Sequence, residues 1–116
     1  MAVTLGASAV TMTLPAATGS GNVYRFFVVA NATPSNFIIE AATNGGDIQG
    51  VLALSSDIAG VSITSAVGDN TITMNGTTTG GLPGTYVEVV DVADGVFAIK
   101  GGLASSGAEA DPWSAA

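Results

Sequence analysis

TYVEVVDVADGVFAIKG, residues Thr85 to Gly101, decides the fold. Val87 and Val89 lead into Asp94-Gly95, and Phe97 and Ile99 lead out, each apolar residue alternating with a neighbour that faces the other way. Such a period of two marks a strand with one buried face, and an Asp-Gly step between two such runs signals a two-residue hairpin. The stretch therefore reads as two antiparallel strands that turn at Asp94-Gly95.

Working outward, the same signal recurs between clusters of Gly, Asn, Asp and Pro, and no stretch has the period of an amphipathic helix. AVTMTL (9–14) alternates Val10, Met12 and Leu14 with Thr11 and Thr13 before Pro15. NVYRFFVVA (22–30) is apolar on both faces except at Arg25, which reads as a central strand packed on two sides. NFIIEA (36–41) is its expected neighbour, after a turn at NATPS (31–35). NGGD (44–47) is a turn, and DIQGVLAL (47–54) a strand with Gly50 as a bulge. Residues 55–70 read as a long surface connection with a short strand at Val61 to Ile63. TITMN (71–75) places Ile72 and Met74 on one face, and NGTTTGGLPG (75–84) reads as a flexible excursion.

The expected class is all-β: a small antiparallel β-sandwich or β-barrel-like domain over 1–103, with 1–8 as an N-terminal arm and 104–116 as an extended C-terminal arm. Trp113 is the lone aromatic of that tail. An indole in water gains nothing, whereas one docked in a partner's pocket is an anchor.

Composition limits function. Only 9% of the 116 residues are charged, against about 25% in an average soluble domain. Sixteen Gly and many Thr, Ser and Asn take the place of charge, giving surfaces that lose water at little cost, so the composition points to assembly. Lys and Arg number 2 against 9 Asp and Glu, for a net charge of −7. Nucleic acid needs clustered cations and is excluded as a partner, and anionic membranes are disfavoured for the same reason, so no membrane partner is expected. Apolar runs such as FFVVA (26–30) fall far short of the ~20 residues that span a bilayer. The first ten residues have neither a basic region nor a continuous apolar region, so no secretory signal is expected and the chain reads as made in cytosol. Without Cys there are no disulfides and no thiolate metal sites. The Asn-x-Thr triplets at Asn31 and Asn75 read as chance products of Thr-rich loops.

Chemistry has little to stand on. His and Cys are both missing, which removes the commonest general base and the strongest nucleophile. Glu40, Asp47, Asp57, Asp69, Glu88, Asp91 and Asp94 fall near strand ends and turns, where Asp usually caps the chain. Asp91, Asp94 and Gly95 lack the spacing and closing Glu of a calcium loop, and the Gly-rich segments lack the Lys and helix of a P-loop. No enzyme, cofactor, metal or small-molecule substrate is expected. Arg25, in an apolar strand, reads either as paired with Glu40 or Glu88 or as a solvated edge residue. Tyr24 and Tyr86 are expected to pack into sheets.

Taken in order, TLPAATGSGNVYRFFVV, FIIEAA with GDIQGV, GDNTITMNGTTTGG, YVEVVDVADGVFAIKG and SGAEADPWS resemble the small head decoration, or cement, proteins of tailed bacteriophages. The resemblance covers nearly the whole chain. It rests on the Leu-Pro-Ala step before a Gly turn, the Asp-Asn-Thr-Ile-Thr-Met-Asn-Gly run, and the closing hairpin whose Phe97 precedes a Gly-terminated strand. It implies a β-sandwich-like or β-barrel-like protein on the capsid exterior, bound to the major capsid protein, commonly as a homotrimer, and assembled in bacterial cytoplasm. Another virion module, such as a tail-fibre or spike domain or a minor head protein, is the alternative. The surfaces expected to make contacts are Ala2, Val3, Thr4 and Leu5 at the N-terminus; Thr77, Thr78, Thr79, Leu82 and Pro83 in the excursion; and Pro112 and Trp113 in the tail.

Overall fold

A computed structural model describes residues 1–6, 8–31, 35–42, 45–55 and 60–115. They hold ten strands: β1 (Ala2–Leu5), β2 (Val10–Leu14), β3 (Val23–Asn31), β4 (Phe37–Ala41), β5 (Asp47–Ser55), β6 (Gly60–Thr64), β7 (Thr71–Met74), β8 (Tyr86–Ala93), β9 (Val96–Ala104) and β10 (Trp113–Ser114). The class is all-β, and the strands form two sheets, one ordered β1-β3-β8-β9-β5-β6 and the other β10-β7-β4-β2.

The decisive hairpin is present. β8 and β9 run antiparallel, and Ala93 pairs with Val96 around Asp94-Gly95. Gly95 has φ +76°, a left-handed turn conformation that glycine adopts without steric cost. A register shift between Asp91 and Ala93 makes a bulge beside the turn. Around this hairpin the pairing is mixed rather than purely antiparallel: β1 with β3, β2 with β4 and β5 with β9 are parallel.

The inner faces follow the alternation read from sequence. Val10, Met12 and Leu14 share one face of β2, and Ile72 and Met74 share that of β7, opposite Ile39 and Phe37 of β4. Against them the larger sheet sets Phe26, Val28, Ile48, Leu52, Leu54, Val87, Val89, Phe97, Ile99 and Leu103, all buried. Phe26 and Phe37 meet across the sandwich edge to face, with ring centres 5.9 Å apart at 71°. That geometry places the positive ring edge on the negative ring face.

Several expectations are corrected. The neighbours of β3 are β1 and β8, whereas β4 belongs to the other sheet. The register through Gly50 is unbroken, so there is no bulge there. Glycine is required instead because a Cβ at that position would collide with the carbonyl oxygen of Ile99. Ala2–Leu5 of the expected N-terminal arm is not free: Val3 and Leu5 are buried members of β1. The surface connection contains the five-residue strand β6. Most of the turn at 31–35, Asn44 of the turn at 44–47, and residues 56–59 lie outside the described residues.

The tail is not an extended arm either. Ser105 N–H donates to the Ser55 carbonyl, Ser106 N–H to Thr77 and Ala110 N–H to Thr78. The chain then leaves the larger sheet and adds β10 to the edge of the smaller one, with Trp113 opposite Ile72.

Candidate interaction surface

Alternation that fills the core on one side must present the other side to solvent, and the two outer faces differ sharply. On the four-stranded sheet the outer positions are Thr11, Thr13, Ile38, Glu40 and Thr73, and the Thr13 hydroxyl donates to Glu40 Oε1 at 3.2 Å. This is the polar outer face usual for a half-buried sheet. On the six-stranded sheet the apolar outer positions are Val23, Phe27 and Val29 of β3, Tyr86, Val90 and Val92 of β8, and Val51 of β5, with the small residues Ala53, Ala98 and Gly102 between them and the polar Asp47, Gln49, Ser62 and Thr64 toward the β5–β6 side. Phe27 is 45% exposed, Val29 51%, Val51 50% and Val92 51%. Hence β3 is apolar on both faces, as read, but only one of them is covered.

Single exposed apolar residues are ordinary, whereas a contiguous apolar patch marks an interaction site. The whole outer face of the six strands, its polar positions included, measures roughly 700 Å² at about 4.8 Å between strands and about 3.3 Å per residue. A standard protein interface takes about 800 Å² from each partner. A shallow depression of about 220 Å³ lies on it, lined by Glu88, Val90, Val92, Ala98, Ile99 and Lys100.

Both cations of the chain stand in the middle of this face. Arg25 Nε donates to Glu88 Oε2 at 3.0 Å, and Lys100 Nζ lies 3.7 Å from Glu88 Oε1. The Tyr86 hydroxyl donates to Glu88 Oε2 at 3.4 Å. The hydrogen bond from Arg25 holds the Glu88 carboxyl below its usual range, with the charge of Lys100 adding to it, and the same bond raises Arg25. Of the two partners open to Arg25, Glu88 is the one it takes, and Glu40 lies in the other sheet. Tyr24 is half-buried within the sandwich, but Tyr86 is on the outside.

The residues singled out by sequence are not brought together. Ala2 and Thr4 are exposed on β1, at the edge of the apolar face, whereas Val3 and Leu5 point into the core. Pro112 and Trp113 are buried, and the Trp113 indole N–H donates to the Ile63 carbonyl at 3.1 Å. The indole thus fills a pocket of its own chain. Thr77, Thr78 and Thr79 are half-buried around Asn75. Asn75 Oδ1 accepts from Thr77 N–H at 2.9 Å and from Thr79 N–H at 3.1 Å, while its amide nitrogen donates to Thr78 Oγ1 at 3.1 Å. The excursion is therefore a hydrogen-bonded knot rather than a flexible loop. Leu82 is half-buried, and Pro83 is exposed beside it.

Asp91 and Asp69 have structural partners. Asp91, 3% exposed, accepts the N–H groups of Thr18 and Gly19 and the hydroxyl of Ser20, at 2.7–3.1 Å. These bonds, that from Thr18 foremost, hold its carboxyl below the usual range. Asp69 Oδ2 accepts from Ala66 N–H at 2.8 Å. Among the described residues no three acidic side chains converge as a metal site.

The apolar residues of the outer face were all legible as strand residues. Their exposure was not, because apolarity signals burial without saying whether the cover is the same chain or another. No protein-family model, curated protein or solved structure matches the chain.

Proposed function

We propose that this chain is a non-enzymatic structural protein of a tailed-phage particle, which binds the outside of the capsid and stabilises the expanded shell. The observation that carries the reading is the largely apolar, solvent-exposed outer face of the six-stranded sheet around the Arg25, Glu88 and Lys100 row, set against the Thr-rich outer face of the other. A sandwich needing only solubility has no use for Phe27, Val29, Val51 and Val92 in water. The resemblance to head decoration proteins supplies the kind of partner, the major capsid protein. The acidic balance of the chain suits a particle's exterior better than its DNA-filled interior.

The mechanism needs no chemistry. A protein that binds the expanded lattice and not its precursor shifts the equilibrium toward the expanded lattice by mass action. A homotrimer would multiply that effect, because three contacts on adjacent coat subunits act at high effective concentration.

Co-sedimentation with coat-protein shells from the same phage, expanded and unexpanded, tests the reading. The wild-type protein is expected to pellet with expanded shells, to raise their disruption temperature, and to have a solution mass three times the 11.3 kDa of the chain. Failure to pellet with either shell form ends it.

A further inference from the structure

Arg25, Glu88 and Lys100 are register partners on β3, β8 and β9, so their side chains make one row of alternating charge across the centre of the apolar face. Glu88 is shared: Oε2 faces Arg25 and Oε1 faces Lys100. The row therefore carries one more positive than negative charge. Arg25 reaches Glu88 through Nε, and the Tyr86 hydroxyl lies beside the same pair. The Arg25 side chain is 59% exposed and that of Lys100 76%.

Covering the face removes water from this row. An ionic group buried without a counter-charge costs several kcal/mol, so the covering surface must return one negative charge at the row. A second copy stacked with its own row on this one does not supply it, because it brings a second positive row. We propose that the face takes a foreign protein surface rather than a second copy, and that this surface is apolar with one carboxylate set against Arg25 and Lys100. The inference rests on the capsid-binding reading and names the chemistry of its contact. Apolar packing on Phe27, Val29 and Val51 supplies the area, and the carboxylate fixes the register.

The test uses expanded coat shells and four variants: Arg25→Glu, Lys100→Glu, Glu88→Gln and Val51→Asp. All four positions are on the outer face, and circular dichroism verifies the β-fold of each. Arg25→Glu and Lys100→Glu are expected to weaken shell binding about tenfold or more. Glu88→Gln leaves two cations to share one carboxylate and is expected to weaken shell binding as well. Val51→Asp is expected to abolish shell binding while leaving the solution mass unchanged.

Outcomes separate cleanly. Wild-type protein that ignores shells sinks the capsid reading and this inference with it. If wild type binds and Val51→Asp does not, yet both charge reversals bind normally, the capsid reading stands and the carboxylate contact is wrong. If Val51→Asp breaks an oligomer into single chains, the face is covered by a second copy and the inference is overturned.

Discussion

The indole N–H of Trp113 donates to the backbone carbonyl of Ile63, which ties the last strand of the smaller sheet to the edge strand of the larger one. The tail is thus a strap across one end of the sandwich. Trp113 also caps β6, an edge strand without charge or Pro of the kind that otherwise invites another strand to pair.

Trp113→Ala is expected to cost about 3–5 kcal/mol, through the cavity left behind. Trp113→Phe keeps most of the packing and loses the hydrogen bond, for about 1 kcal/mol. Denaturant titrations measure both. Because Trp113 is the sole Trp, native fluorescence should be blue-shifted and move to the red as the strap opens.

Acid should weaken the fold through Asp91 and Glu88. Both carboxyls are held below their ordinary values in the folded state. The unfolded values are about 3.9 and 4.3. Their stabilisation is therefore fully present above those values and is lost as pH falls through the folded ones. The stability gap between wild type and Asp91→Asn is expected to be constant from about pH 6 to 8 and to shrink below about pH 4, as read by denaturation midpoints. A gap that widens in acid would contradict the depressed carboxyl.

Asn75→Ala removes the hub of the Thr loop and leaves the N–H groups of Thr77 and Thr79 without their acceptor. The expected loss is about 1–3 kcal/mol. Hydrogen exchange offers a local readout: the amides of Thr77 and Thr79 should be protected in the wild type and exchange freely in the variant.

Phe27→Thr and Val51→Thr should be nearly silent in stability, within about 0.5 kcal/mol, because both side chains are about half exposed and Thr suits a strand. Thermal unfolding decides it. A large loss at either position would mean that the outer face contributes to the fold of the single chain and is not held in reserve for a partner.

What the sequence showed was set by distance along the chain. The Asp94-Gly95 hairpin was legible because turn and pairing are both local, and the inner faces of β2 and β7 because alternation is local too. Strand order was not: β5 lies beside β9 and β3 beside β8, and no local pattern encodes such partners. NVYRFFVVA had the right apolar character, yet only the fold reveals that one side of it is bare. Trp113 stood out for the right reason, since a buried indole must dock somewhere, but its dock is Ile63 of the same molecule. Asp91 was set aside as a turn residue, and its role in gathering Thr18, Gly19 and Ser20 depends on contacts from far earlier in the chain.

The central place of β9 has a consequence for how the molecule is made. Val96–Ala104 is the seam between β1-β3-β8 and β5-β6, so the backbone N–H and C=O groups along the facing edges of β5 and β8 have their strand partner only once this segment has emerged. Closure is then a late, non-local search, which in proteins of this topology takes on the order of milliseconds to seconds. During that interval exposed apolar surface and unpaired strand edges make the chain most prone to aggregate.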